Sequence, residues 1–215
     1  PDRIGGAARF DGTTWTVYDR TNSGLASEYV RAIVVDRQGV KWIGATNGLY
    51  RFDGVEWTHY HRDNSGLPSN SIRHLLLDEN DVLWIGTSNG GLARFDRTTW
   101  TAYDTSNSPL PFNWIDRIER DPGGRMWTAL GSSGSAGGIA IADGDDWGIH
   151  LGSPFDSYYN DIYAIDFGHD GKTWVAAGFG LAVHDGASWT VYDATNSPLP
   201  NFAYDVAVDS LGIVW

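Results

Sequence analysis

The residues that could do chemistry are few and dispersed. The chain has six histidines, 27 acidic and 15 basic side chains and no cysteine, so thiol chemistry and disulfides are excluded. No Gly-x-Ser-x-Gly nucleophile turn, His-Glu-x-x-His helix or phosphate-cradling glycine loop occurs. His59 and His61 stand two apart, which on a strand puts both rings on one face and supplies two metal-ligand positions without an evident third. Asp143-Gly144-Asp145-Asp146 has the carboxylate density of a calcium loop but lacks the rest of the ligand pattern. Glu119 and Asp166, with His74, are the charged set to consider for acid–base cleavage of a glycosidic or similar bond, provided that folding brings them together. No catalytic residue, metal ligand or cofactor is assigned from these patterns.

Side chains suited to binding are better represented. Tyr29, Trp114 and Phe202 are aromatics in segments that connect periodic elements, as are Tyr158 and Tyr159. Asn70, Asn113 and Asn160 supply amides beside them. Rigid aromatic faces next to amide donors and acceptors suit a sugar, a peptide or a loop of a protein partner. Trp114 has the best individual case, because every other tryptophan belongs to a repeating pattern.

That pattern defines the elements that must position these residues. Trp15, Trp57, Trp100, Trp147 and Trp189 form one series, and Trp42, Trp84, Trp127, Trp174 and Trp215 a second, with steps of 41 to 47 residues. A period of this size marks a stacked or radial array in which no unit buries its own apolar face. Within one period Ile72–Leu77, Val82–Gly86, Gly91–Phe95 and Trp100–Tyr103 are short β-rich runs separated by Gly, Asn and Asp, which predicts four strands, A to D, and leaves no room for helices. Asp11-Gly12, Asp53-Gly54, Asp143-Gly144 and Asp185-Gly186 are hairpin turns between strands C and D, whereas the third copy has Asp96-Arg97. Asn22-Ser23-Gly24, Asn64-Ser65-Gly66, Asn107-Ser108-Pro109 and Asn196-Ser197-Pro198 predict Asx-type turns after strand D. Two residues beyond the strand-B tryptophans stand Gly44, Gly86, Ala129 and Ala176, a small-residue column expected to leave room for an indole. Each buried tryptophan removes about 150–250 Å² from water, roughly 4–6 kcal/mol as an upper bound, so the ten are expected to be the main internal cement.

A single domain over residues 1–215 is predicted, with units near 1–18, 19–60, 61–103, 104–150, 151–192 and 193–215, the first and last being halves. The formal charge of −12 argues against nucleic acid and anionic lipid as partners. No run approaches the length of a membrane span, and no signal-peptide pattern opens the chain. A first residue Pro1 and a last residue Trp215 inside an apolar stretch predict a processed or excised segment.

Trp84-Ile85-Gly86-Thr87 followed by Gly90-Gly91-Leu92-Ala93-Arg94-Phe95-Asp96 resembles the two-component regulator propeller repeat, closely again at Trp42-Ile43-Gly44 and more loosely at Trp127-Thr128-Ala129 and Trp174-Val175-Ala176. The resemblance implies an all-β fold, a β-propeller of four-stranded antiparallel blades with strand A innermost. It also implies an extracytoplasmic setting, periplasmic or secreted, as the sensor region of a longer bacterial protein. It transfers no catalytic residue, because the motif is one of packing. Joining the terminal halves would give a fifth blade. In such a fold the B–C and D–A connections share one rim. The B–C connection is the variable one: Trp127 to Ala142 is 15 residues where the others are 10 or 11, owing to the insertion Gly131–Gly138. The expected function is therefore non-catalytic recognition of a small molecule, glycan or protein at that rim, without direct membrane insertion. The alternatives are a lyase or glycoside hydrolase using charges near the axis, and a structural module of a surface assembly.

Overall fold

The computed structural model describes residues 5–131, 137–143, 146–151, 154–155 and 161–215. The chain divides into two compact units, residues 1–108 and 109–215. Unit 1 contains a two-stranded sheet, β1 (Ala7–Phe10) and β2 (Trp15–Tyr18), then two four-stranded sheets. The first is β3 (Val30–Val35), β4 (Lys41–Ala45), β5 (Gly48–Phe52) and β6 (Trp57–Tyr60). The second is β7 (Ile72–Leu77), β8 (Leu83–Thr87), β9 (Leu92–Phe95) and β10 (Trp100–Tyr103). Unit 2 contains β11 (Ile115–Arg120), β12 (Met126–Leu130), β13 (Gly138–Asp143) and β14 (Asp146–His150). Its other sheet is β15 (Ile162–Phe167), β16 (Thr173–Ala177), β17 (Gly180–His184) and β18 (Trp189–Tyr192). Every four-stranded sheet is an antiparallel meander in chain order, which is the expected A-to-D blade. We number these four blades one to four.

The tryptophans pack as a repeating aromatic chain. In blade one Trp42 stacks on Tyr60 of its own sheet at 6.1 Å and meets Phe95 of blade two edge-on at 5.9 Å. Trp100 lies flat on Phe95 at 4.2 Å and against Tyr60 at 5.8 Å, so this strand-D tryptophan joins its own strand C to the preceding blade. Trp57 does the same with Phe52 at 4.4 Å and Tyr18 at 5.7 Å. Leu75, Ile85 and Ala93 complete the core between blades one and two. The cement does not include all ten tryptophans. Trp15 is 67% exposed and Trp215 is 76% exposed. Trp15 lies on the two-stranded sheet β1–β2, where Phe10 stacks on it at 4.8 Å. Strands A and B expected at 204–215 are a shorter feature: an isolated bridge between Val208 and Val214, with Ala207 and Trp215 exchanging backbone hydrogen bonds.

At Gly44 the small-residue column serves a different neighbour from the one expected, while Ala129 and Ala176 share clusters with Trp127 and Trp174. A Cβ on Gly44 would lie 2.5 Å from Ile72 Cγ2 and 3.4 Å from Leu75 Cδ1, so the space belongs to strand A of blade two and not to an indole. The glycines that admit indoles are Gly24 and Gly66, in the Asn-Ser-Gly turns. A Cβ there would meet the Cβ of Trp57 at 2.4 Å and of Trp100 at 2.3 Å. The asparagines of those turns clamp the preceding strand as expected: Asn22 Nδ2 donates to the Val17 carbonyl and Asn22 Oδ1 accepts from the Asp19 amide.

The described C–D turns follow their sequence; Gly144 and Asp145, on which the Asp143–Asp146 turn and calcium-loop expectations fall, lie outside the described residues. Gly12, Gly54 and Gly186 have φ of 99°, 108° and 96°, open to glycine at no steric cost. The turn aspartates accept amides two and three residues on. Asp96 takes Thr99 N at 2.8 Å, Thr98 N at 3.0 Å and the Thr98 hydroxyl, and these bonds lower its carboxyl pKa to about 2. A carboxyl depressed below its unfolded value stabilises the fold above the ordinary aspartate range and loses that contribution as pH falls toward 2. Asp11, Asp53 and Asp185 are lowered by the equivalent amides of their own turns. We therefore expect melting temperature to hold from neutral pH to about 5 and to fall from about pH 4 to 2. Carboxyl ¹³C titration should place Asp96 near the bottom of that window; a titration of Asp96 at the ordinary aspartate value would refute the assignment.

Candidate functional site

Strand A is where the blades stop being uniform. All four carry a register shift against strand B near their first residues, between Val30 and Ala32, Ile72 and His74, Ile115 and Arg117, and Ile162 and Ala164. A bulge leaves one residue unpaired and re-aims its side chain. The bulged residues are Arg31, Arg73, Asp116 and Tyr163, four polar or aromatic side chains within otherwise regular strands. They stand where the D–A connection enters the sheet, beside the B–C connection. The sequence offered a signal for them: the same polar or aromatic second position follows Val or Ile at the start of each strand A.

In unit 1 this end of blade one holds a cleft of about 240 Å³ lined by Arg20, Ser27, Glu28, Tyr29, Thr46 and Asn47, with Ala26 also at its wall. Its residues come from the D–A and B–C connections together. Tyr29 is 69% exposed, and Arg20 pairs with Glu28 at 2.9 Å. The Thr46 amide donates to the Tyr29 carbonyl at 3.2 Å and so fixes the two loops together. Asn70 is engaged structurally: its Oδ1 accepts the Arg62 amide at 2.8 Å.

In unit 2 the corresponding end of blade three is built around Trp114. Its indole Nε1 donates to Asp116 Oδ1 at 2.9 Å, and its carbonyl accepts from Gly131 N at 3.0 Å. Gly131 opens the B–C insertion, and a Cβ there would fall 2.0 Å from Asp116 Oδ2 and 2.6 Å from Trp114 Cδ1. Glycine at 131 is thus what lets the indole and carboxylate lie against the loop. In blade four Tyr163 packs on Tyr204 at 5.1 Å, and Tyr204 is 71% exposed. Burial, then the nearby Asp161 carboxylate, raises the Tyr163 hydroxyl pKa. Asn113 is half-buried beside Trp114, and Phe202 is 45% exposed after the final Asn-Ser-Pro turn. Tyr158, Tyr159, Asn160 and Ser132–Ala136 of the insertion lie outside the described residues.

The charged pair near strand A is engaged. Arg117 Nε donates to Glu119 Oε1 at 3.0 Å, and its Nη1 donates to the Tyr163 carbonyl. Burial raises the Glu119 carboxyl pKa, Arg117 opposing it. Asp166 accepts the amides of Phe167 and Val208. His59 stacks on Tyr50 at 4.2 Å and its Nε2 lies 3.0 Å from the Asn47 carbonyl, while His61 Nδ1 lies 3.5 Å from Asp63. Among the described residues no group of three His, Asp or Glu side chains is placed to hold a metal ion. Also among them, no helix is long and apolar enough to cross a membrane.

With this geometry in view, residues 66–89 match the family described as Two component regulator propeller. That match covers the length of a single repeat. The matched segment runs from Gly66 through strand A and strand B of blade two and takes in Trp84–Thr87, stopping short of Gly90–Asp96. No curated protein matches the chain in sequence. Among solved structures it is similar to the extracellular domain of a putative hybrid two component system from B. thetaiotaomicron, at 22% identity and a TM-score of 0.75, over 98% of this chain and 29% of that one. It is similar to PorZ, a surface component of the type-IX secretion system of Porphyromonas gingivalis, at 17% identity and a TM-score of 0.66, over 100% and 36% of the two chains. A virginiamycin B lyase from Staphylococcus aureus is similar at 16% identity and a TM-score of 0.67, over 95% and 74%. The chain thus spans less than a third of the first of these proteins. What the chain has in common with all three is the fold.

Proposed function

We propose that this chain is a non-catalytic recognition module, an extracytoplasmic sensor or binding segment of a larger bacterial protein. It takes its ligand or partner at the blade ends where the D–A and B–C connections meet. The observation that carries this reading is the concentration of variation there. The aromatic packing between blades repeats, whereas the bulged residue changes from Arg to Asp to Tyr and the adjoining position from Tyr29 to Ser71 to Trp114 to Asp161. Variable side chains on rigid strand ends are how a repeated scaffold acquires specificity. The similarity to extracellular domains of two component systems and to a secretion-system surface component supports the setting.

A lyase reading draws on the similarity to a virginiamycin B lyase, which at 16% identity is a likeness of fold. The carboxylates it would need, Glu119 and Asp166, are held by Arg117 and by backbone amides, an arrangement that favours a structural role.

The test is a screen of the chain against oligosaccharide and peptide arrays, repeated with Tyr29→Ala and Trp114→Ala. Truncating an aromatic anchor should reduce binding about tenfold or more for the ligands that it contacts, with the melting temperature little changed for exposed Tyr29. If every bound ligand is retained in both folded variants, the rim assignment is wrong.

A further inference from the structure

We propose that His150 and His184 together bind a divalent transition-metal ion, Cu²⁺ or Zn²⁺, at the junction of blades three and four. The repeat shows how this junction departs from the others. In unit 1 the last residue of strand D meets the last residue of the next strand C as tyrosine against phenylalanine: Tyr18 with Phe52 at 5.3 Å, and Tyr60 with Phe95 at 5.9 Å. In unit 2 the same two positions are His150, which ends β14, and His184, which ends β17. Their ring centroids are 5.6 Å apart with planes at 64°, a spacing between those of the two tyrosine–phenylalanine pairs. One contact has therefore exchanged both of its rings for imidazoles, the commonest metal ligands among side chains.

The two rings are placed and available for this. Two imidazoles that share one ion through bonds of ~2.1 Å stand with centroids roughly 5 Å apart, close to the spacing here. Both side chains are half-buried, and among the described residues neither makes a hydrogen bond. Trp189 backs the pair, 4.7 Å from His184 and 6.3 Å from His150, and is itself met edge-on by buried Phe155 at 5.0 Å. Strand D carries threonine two residues before its closing aromatic in the other blades, at Thr58, Thr101 and Thr190, but Gly148 in blade three. A Cβ at 148 would find only the Ile141 carbonyl at 3.9 Å and His150 Nε2 at 4.0 Å, so the space beside this nitrogen is open for the waters that complete a coordination shell. Burial, then His150, lowers the pKa of His184, which keeps that ring in the neutral form that binds metal; Asp185 opposes the shift and Arg125 adds to it. The charge of Arg125 is in turn paired with Asp121 at 2.7 Å. The other close pair, His59 and His61 at 5.2 Å, has a ring nitrogen of each already engaged, by the Asn47 carbonyl and by Asp63. Two imidazoles and water make an exchangeable site, and imidazole selects Cu²⁺ and Zn²⁺ over Mg²⁺ and Ca²⁺.

The test titrates the whole chain with ZnCl₂ by calorimetry and with CuCl₂ by ¹H–¹⁵N spectroscopy, with MgCl₂ as the control. Zn²⁺ should bind saturably with a Kd in the micromolar range, and Mg²⁺ should not. Paramagnetic Cu²⁺ should broaden the indole resonance of Trp189, assigned with Trp189→Phe, before that of Trp57, which shares a strand with His59 and His61. His150→Tyr with His184→Phe supplies the ring pair that unit 1 uses at this junction, so the packing is kept while both ligands are removed. Zn²⁺ affinity should fall about tenfold or more in that protein and in each single variant. It should also fall about tenfold or more in the unmodified chain between pH 7 and 5, where protons compete for the imidazoles. Earlier broadening of Trp57 would place the ion at the His59–His61 pair. That result, Zn²⁺ binding unchanged in the double variant, or binding that depends on only one of the two histidines overturns the proposal.

Discussion

Replacing Asp36 by alanine is expected to destabilise unit 1 by about 3–5 kcal/mol, the largest loss from any single polar substitution in it. Asp36 is buried, with 7% exposure, and its carboxylate takes four donors: the amides of Gln38 and Val40, the Trp42 indole and Arg97. Arg97 comes from the C–D turn of blade two, its guanidinium 3.3 Å from Asp36 Oδ2 and 4.5 Å above the Trp42 ring. Alanine would leave the indole N–H and a half-buried guanidinium without their acceptor, and desolvated donors are costly. Arg97 itself occupies φ 82°, a conformation disfavoured for a side chain with a Cβ, in the turn that uses glycine elsewhere. The pairing across two blades offsets that local strain. Asp78→Ala, which removes the same bond to half-buried Trp84, should cost roughly 1–2 kcal/mol. Urea denaturation midpoints compare the two; equal losses would deny Arg97 its part.

Gly44→Val should cost about 3 kcal/mol for the opposite reason, too much matter in a filled space. The new Cβ would lie 2.5 Å from Ile72 Cγ2 and 3.1 Å from Ile72 Cβ. Ile72 is fully buried and Leu75, the next neighbour, is 2% exposed, so neither can swing into solvent. A double-mutant cycle with Ile72→Ala identifies the contact. The second substitution alone leaves a cavity and costs roughly 2–5 kcal/mol, but the pair should cost at least about 1 kcal/mol less than the sum. Additive losses would show that the strain is relieved elsewhere.

Much of this architecture was legible in the sequence because it is periodic. A strand-D tryptophan, an Asp-Gly turn directly after strand C and a glycine at φ near 100° are local requirements of a short hairpin, and each recurs. Ile72–Leu77 and Trp100–Tyr103 are strands at the predicted residues. The candidate site was legible in part. Trp114 stands out as the one tryptophan outside the repeat and Tyr29 as an aromatic of a connecting segment, and the structure sets Tyr29 at a cleft and Trp114 against Asp116. Asn70 stands among the sequence candidates as a surface amide, whereas in the fold it caps the Arg62 turn. A cap and a free amide look alike in one dimension.

The sequence by itself determined the blade: strand lengths, turn positions, the aromatic columns and the absence of helices among the described residues follow from period and local propensity. Only the tertiary structure decided what each column faces. Gly44 clears Ile72 of the next blade, Arg97 closes on Asp36 from 61 positions away, and the bulge in strand A turns Asp116 and Tyr163 toward the rim. Local hydrogen bonding acts within a few residues and recurs with the repeat. Contacts between blades depend on which side chains two copies bring together, and there the copies differ.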